Sequence, residues 1–314
     1  MRILFITSNR IGDAVLSTGL LAHLAETHPQ ARFTVACGAV AAPLFQPAPF
    51  VERVIPMVKQ KRAGHWVKLW RATAGTWWHR VVDLRGSAMA WLVPTLHRHV
   101  LRSSWEEKHR LYHVASAIGA AEPLAPVLWN TPEQQAHAAA LIGDGPVLAI
   151  GPTAHWPGKQ WPADRFAQVA DALTGPGGRL AGARVAVFGA PNERAAAQPL
   201  LDAIPAERRI DLIGAIDLAT VHACIRRCAL YVGNDSGLMH IAAASGTPTL
   251  GLFGPSSEVF YGPWGAHCAA VRGPRSFEDI VHTPAFDHTS DECLMLDLTV
   301  ERVVAAADAL LRLP

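Results

Sequence analysis

The sequence has little that would tie it to an oxidising compartment, a membrane span or a redox cofactor. Its five cysteines, Cys37, Cys224, Cys228, Cys268 and Cys293, are odd in number and show no C-x-x-C spacing. Neither a disulfide framework nor a structural zinc site is indicated, and a reduced, cytosolic setting fits best. Half of the residues are hydrophobic, yet runs such as LFI, MAWLVP and LAI fall far short of the about 18–20 apolar residues that a spanning helix needs. The start, MRILFITSNRIGDA, turns polar after six residues; it reads as a buried first strand, and no secretory leader is expected. The first loop carries one glycine where a dinucleotide fold would show G-x-G-x-x-G, which disfavours a nicotinamide or flavin enzyme. GPTAHWPGKQ (151–160) has the wrong glycine spacing for a P-loop, and Gln160 stands where its hydroxyl should be. G-x-S-x-G and H-E-x-x-H are absent, so neither an α/β-hydrolase nucleophile nor a zincin site has a candidate.

What is present is enough apolar surface to offset ordering entropy and, at 314 residues, enough chain for two domains of roughly 100–200 residues each. The formal charge of +2 hides an asymmetry. Residues 1–145 hold 15 Lys/Arg against 9 Asp/Glu, a net +6, and 9 of the 15 histidines; residues 146–314 hold 13 against 17, a net −4. A basic first half suits an anionic partner, although ordinary solvated surface explains the charge alone equally well.

RILFIT (2–7) is a short apolar run followed by a helical pattern from Ile11 to Glu26 and then by RFTVACG (32–38), which makes a βαβ unit. RVVDLRG (80–86), VLAIGPT (147–153), RVAVFGA (184–190), RIDLIGA (209–215), LYVGNDSG (230–237) and TPTLGLFGP (247–255) continue the strands. Helical stretches at 162–174, 191–204, 217–227 and 236–245 alternate with them, and a last helix runs from Thr299 to Leu313. Alternation of this kind predicts α/β architecture with parallel sheets covered on both faces. The Gly-Asp-Gly-Pro turn at 143–146 marks the expected joint between domains 1–145 and 146–314, and the last helix could return to the first. Between residues 56 and 79, Lys59, Lys61, Arg62, Lys68 and Arg71 interleave with Trp66, Trp70, Trp77 and Trp78. The stretch can cover an anionic, partly apolar acceptor, or it can be an amphipathic helix with its tryptophans in the core.

In open α/β sheets ligands collect at the carboxyl ends of strands, and helix N-termini offer free N–H groups to anions. GNDSGLMH (233–240) is the best such loop. Gly233 allows a tight exit from the strand, Asp235 and Ser236 can cap the next helix, and Gly237 lets a phosphate approach the backbone.

IGDAVLSTGLLAHL (11–24), GKQWPADRFAQVADAL (158–173), GNDSGLMHIAAASGTPTLGLFGPSS (233–257), YGPWG (261–265) and ECLMLDLTVERV (292–303) together resemble the lipopolysaccharide heptosyltransferases of glycosyltransferase family 9. The resemblance runs from the first strand to the last helix. It implies a GT-B fold, two Rossmann-like domains with parallel sheets facing across a cleft, with acceptor bound mainly by the first and nucleotide sugar by the second. The implied reaction is inverting transfer of heptose from ADP-L-glycero-β-D-manno-heptose to the lipopolysaccharide inner core. Such a displacement needs a base for the acceptor hydroxyl and a clamp for the leaving diphosphate.

Asp13 matches the family's catalytic carboxylate and is the only acid before Glu26; a first-turn acid favoured by the helix dipole is the plainer reading. Lys159 matches the lysine near the donor phosphates, where a compact cation would neutralise developing charge. Thr153 aligns with a hydroxyl that can bond a phosphate, and Glu193 with a glutamate that can accept from the ribose, or is simply a first-turn helix acid. Ile216 sits where relatives pack against adenine, and an ordinary core isoleucine explains it equally well. Asp235, Ser236, Gly237 and Leu238 match D-[TS]-G-L, which implies diphosphate held by backbone N–H groups and Ser236, with Asp235 toward heptose hydroxyls. Asn9, Arg10, Lys59, Lys61 and Arg62 are candidates for the acceptor. The nucleotide sugar enters as a co-substrate; no tightly bound cofactor, catalytic metal or nucleic-acid partner is expected, and membrane contact is expected to be peripheral, on the cytoplasmic face of the inner membrane. PTAHWPGKQW departs from common family wording and leaves open a different nucleotide sugar. A silent GT-B-like binding protein is the reading from another class.

Overall fold

The computed structural model describes residues 1–104, 106–283 and 286–312. It divides into two compact units, Met1–Thr131 and Pro132–Pro314. The first holds β1 (Arg2–Ile6), β2 (Arg32–Gly38), β3 (Val51–Met57), β4 (Trp78–Asp83) and β5 (Thr95–Val100), with helices α1 (Ile11–Leu16), α2 (Thr18–Thr27), α3 (Gly64–Thr73), α4 (Met89–Leu92) and α5 (Arg110–Ser116). The second holds β6 (Val147–Gly151), β7 (Arg184–Val187), β8 (Arg209–Asp211), β9 (Leu230–Asn234), β10 (Thr249–Phe253) and β11 (Cys268–Arg272). Its helices are α6 (Pro132–Ile142), α7 (Ala163–Thr174), α8 (Arg194–Ala203), α9 (Leu218–Ile225), α10 (Gly237–Ala244), α11 (Glu258–Tyr261), α12 (Phe277–Val281) and α13 (Val300–Leu310).

Each unit is an all-parallel sheet, in the order β3-β2-β1-β4-β5 in the first and β11-β10-β9-β6-β7-β8 in the second. The inner strands are buried along almost their whole length, as in β1, β6, β9 and β10, because helices cover both faces. In α7, Phe166, Val169, Ala170 and Leu173 recur at helical spacing and are buried, placing one stripe against the sheet in a core that includes Ile150, Val187 and Val232. The strand order reverses between β1 and β4 in one sheet and between β6 and β9 in the other. Ligand crevices of open sheets lie at such reversals.

Local chemistry adjusts several expectations. The helix expected from Ile11 to Glu26 is interrupted at Ser17, whose hydroxyl bonds the Ala14 carbonyl at 2.7 Å and pairs with Thr7 Oγ1 at 2.8 Å. A serine that turns back onto its own helix competes with the backbone ladder there. The Gly143–Pro146 segment is a turn with Gly143 and Gly145 at positive φ. It lies inside the second unit, because α6 buries Ala138 and Ile142 and packs on α9. The last helix packs on α7, β10 and β11 of its own unit, with Thr299 capping it by accepting from the Arg302 N–H; its expected end at Leu313 lies outside the described residues.

Gly19 in the IGDAVLSTGLL motif has a packing reason. A Cβ there would run into the carbonyl oxygens of Leu124 and Ala125, and the adjoining Thr18 Oγ1 accepts the Val127 N–H at 3.0 Å. Gly19→Ala is therefore expected to cost about 1–3 kcal/mol by overpacking, read as a lowered denaturant midpoint with an unchanged slope.

Candidate functional site

The carboxyl end of β1 turns at Thr7–Arg10 into α1, and the end of β4 turns at Leu84–Ser87. The second turn is organised by buried Asp83, which accepts from the Arg85 N–H at 2.9 Å, the Ser87 N–H at 3.0 Å and the Ser87 hydroxyl at 2.5 Å. Burial raises its carboxyl above the usual range against the pull of these bonds. Between the two turns lies a cavity of about 250 Å³ lined by Thr7, Ser8, Asp13, Arg85 and Arg110, among others.

Asp13 stands in the first turn of α1 and also lines this cavity. Its Oδ2 accepts from the Ser8 hydroxyl at a long 3.4 Å, and its Oδ1 is 4.0 Å from Arg110 Nε, beyond hydrogen-bond reach. The carboxylate is thus placed beside cations without being saturated by them, which suits a proton acceptor. Arg85 stacks over Trp66 at 4.6 Å and donates to Asn9 Oδ1 at 3.1 Å, locking the loop after β1 to the loop after β4. A Cβ on Gly38 would run into the Asn9 backbone, which explains the glycine ending β2.

Arg85 and Arg110 were not among the sequence candidates. Arg85 follows a strand end, a signal that was available; Arg110 opens α5, which no motif marked. Of the acceptor candidates, Asn9 is tied to the cavity through Arg85. Arg10, Lys59, Lys61 and Arg62 are exposed and line no part of it. The four tryptophans of the basic stretch divide: Trp78 is buried, Trp66 is half-buried, and Trp70 and Trp77 are exposed.

In the second unit the turns after β6 and β9 meet at the other sheet reversal. Asn234 donates to the Pro152 carbonyl at 2.7 Å and accepts from the Trp161 N–H at 3.1 Å, which fixes the PTAHWPGKQW loop on the end of β9. That loop carries Lys159, whose Nζ lies 2.5 Å from Asp235 Oδ2. Asp235 is almost fully buried and Lys159 about a quarter exposed, so this pair is shielded far more than a surface ion pair. Lysine has three N–H donors; with one on Asp235, the others remain for a second anion.

Thr153 donates to Glu193 Oε2 at 2.8 Å, and the Ala190 N–H donates to the same oxygen at 2.8 Å. The hydrogen that Thr153 would offer a phosphate goes to Glu193 here. Ser236 occupies the N-cap of α10, but its hydroxyl makes no capping bond, unlike the sequence expectation; it lies instead beside the phenol of Tyr231, which burial pushes above its ordinary pKa. A Cβ on Gly151 or Gly233 would run into that phenol oxygen. The glycines of VLAIG and YVGNDSG therefore make room for a buried tyrosine. Ser236, Gly237 and Leu238 are half-buried at the start of α10, whose first-turn N–H groups have no partner within the helix. Ile216 is half-buried too and is no core residue. Among the described residues no group of His, Cys, Asp and Glu is placed to hold a metal ion.

The sequence profile of glycosyltransferase family 9 (heptosyltransferase) matches residues 115–288. Lipopolysaccharide heptosyltransferase 2 of Escherichia coli K12 is 27% identical over 99% of both chains. The structure of Escherichia coli ADP-heptose lps heptosyltransferase II aligns with a TM-score of 0.77 at 26% identity, covering 99% of this chain and 98% of that one. A family 9 glycosyl transferase from Veillonella parvula aligns with a TM-score of 0.80 at 23% identity, covering 99% and 97%. Two parallel-sheet α/β units of the GT-B class thus agree with a profile spanning more than half of the sequence: the chain belongs to glycosyltransferase family 9, the heptosyltransferases.

Proposed function

We propose that the protein transfers a heptose from ADP-L-glycero-β-D-manno-heptose, with inversion, to a sugar of the lipopolysaccharide inner core. The observation that carries this reading is the unsaturated Asp13 carboxylate in a cavity whose other charged groups, Arg85 and Arg110, are cations. A phosphorylated acceptor is attracted by the arginines, and Asp13 takes the proton from its attacking hydroxyl. The new bond forms at the anomeric carbon as the bond to ADP breaks. Lys159 and the free N–H groups opening α10 stabilise the charge that gathers on the departing diphosphate. Glu193, through the oxygen not engaged by Thr153 and Ala190, accepts from the ribose, and Ile216 offers a partly exposed apolar face to adenine.

ADP as the nucleotide is supported by the name of the solved relative. The test is a thermal-shift and turnover panel of ADP-heptose, ADP-glucose, UDP-sugars and GDP-sugars. ADP-heptose is expected to raise the melting temperature as RT ln(1 + [L]/Kd) requires and to be turned over fastest; indifference among nucleotides would remove the donor assignment. Because Lys159 and backbone N–H groups supply the positive field, chelator-treated protein is expected to keep most of its turnover, and a complete loss restored by Mg²⁺ would count against this mechanism. The reading places the enzyme in the cytoplasm, working at the inner surface of the membrane that carries its acceptor; no helix among the described residues is long and apolar enough to cross one.

A further inference from the structure

Twelve large hydrophobic side chains are markedly exposed among the described residues, and seven of them lie between Val58 and Leu96 of the first unit. Trp77, Trp91 and Leu96 are 70%, 67% and 60% exposed. All but Val58 sit on neighbouring elements, α3, the turn before β4, α4 and β5. The Trp70 indole N–H donates to the Leu92 carbonyl at 3.0 Å, which joins α3 to the end of α4. The Trp78 N–H bonds the Pro94 carbonyl at 3.0 Å, so the turn bearing Trp77 lies beside the start of β5, where Leu96 projects. Monomer surfaces rarely leave aromatic area of this kind contiguous without a partner.

The stretch of chain that bears these side chains is charged almost wholly with one sign. From Lys59 to Arg102 there are nine Lys/Arg and a single carboxylate, Asp83, and Asp83 is fully buried. On α3, exposed Lys68 and Arg71 alternate with exposed Val67 and Trp70, and Arg98 stacks over Trp91 at 4.6 Å. A second copy of the chain fits this surface poorly, because two-fold pairing of one patch would set the same cations against each other. Indole rings ringed by lysine and arginine match the headgroup layer of an anionic bilayer, where tryptophan partitions and each cation gains about 1 kcal/mol.

We propose that the surface formed by α3, the turn at Trp77, α4 and the start of β5 docks the enzyme on a bilayer containing anionic phospholipid. The indoles lie at headgroup level, and Lys68, Arg71 and Arg98 face lipid phosphates. The proposal deepens the preceding one and rests on it only in that the acceptor is carried by a membrane; it does not depend on which sugar is transferred.

The test is co-sedimentation of the full chain with vesicles of phosphatidylcholine alone and of phosphatidylcholine mixed with phosphatidylglycerol. Three proteins are compared: wild type, the triple variant W77S/W91S/L96S, and K68E/R71E. Wild type is expected to pellet with the mixed vesicles and not with phosphatidylcholine, and less so at high salt. Both variants should bind at least about tenfold more weakly. The triple variant alters side chains that are more than half exposed, so its melting temperature should hold. It should also keep wild-type turnover on a soluble, delipidated core oligosaccharide while losing turnover on acceptor embedded in mixed vesicles. Equal pelleting with both lipids, variants that pellet like wild type, or a concentration-dependent dimer abolished by the triple variant would each overturn the proposal. Absence of heptose transfer by wild type on the soluble acceptor would instead remove the transferase reading and leave the vesicle result standing.

Discussion

Asp13→Asn is expected to lower kcat by about 10²–10⁴-fold, the usual worth of a positioned general base, while leaving donor binding intact. The substitution keeps size and shape, so the cavity and the neighbouring Ser8 contact survive. Its structural cost is confined to the lost anion in the first turn of α1, about 0.3–1 kcal/mol, which the melting temperature will report. The separation of effects follows from the fold: Asp13 belongs to the first unit, whereas Lys159, Asp235 and the opening of α10 belong to the second. Titration with ADP should therefore give wild-type affinity in a variant that no longer turns over. Near-normal turnover in Asp13→Asn would return this residue to the plainer role of a helix-terminal acid. It would also leave the first-unit cavity without a base.

Lys159→Met carries the second large effect, and it acts on two quantities at once. Removing the cation proposed to face the leaving diphosphate should cost about 10²–10³ in kcat. It also strands Asp235, a carboxylate with only 7% of its side chain exposed, and loss of one partner of a buried pair costs about 3–5 kcal/mol. The partial exposure of Lys159 places the stability loss at the lower end of that range. Lys159→Arg separates the two consequences. Arginine can keep the ion pair and restore the melting temperature, but its planar fork does not reproduce a compact ammonium beside a phosphate, so turnover should recover only in part. A Lys159→Met protein with a lower melting temperature and unimpaired kcat would show that the pair serves the fold alone.

How much of this was legible in the sequence divides along the burial of the strands. Inner strands such as ILFI, VLAIG and LYVGN read directly as apolar runs, because helices cover them on both faces. Three of the four strands at sheet edges did not. β3 is interrupted by Glu52, Arg53 and Pro56, β5 carries His97 and Arg98, and β11 was hidden between loops. Charge and proline at an edge keep other chains from pairing there, and the same devices erase the hydrophobic pattern that would reveal a strand. The site divides similarly. Asp13, Lys159 and Asp235 lie in segments that carry the resemblance to the family, and the structure brings the last two together at 2.5 Å. Arg85 and Arg110 reach the cavity from segments far apart in sequence, and only the fold joins them. Ser236 shows the limit of capping rules: the position is right and the hydrogen bond is absent, because its hydroxyl lies beside the buried phenol of Tyr231 instead.

The helix Pro132–Ile142 precedes the first strand of the second unit, yet it shields α9, burying Ala138 and Ile142. This bears on how units can be exchanged among relatives. A chimera joined at the conspicuous glycine turn would give the second unit a foreign helix, with side chains selected against a different α9. A join between Thr131 and Pro132 carries the helix with the surface it covers. The two units could then be recombined without disturbing either hydrophobic core, and evolution by unit exchange would leave its seam at the same place.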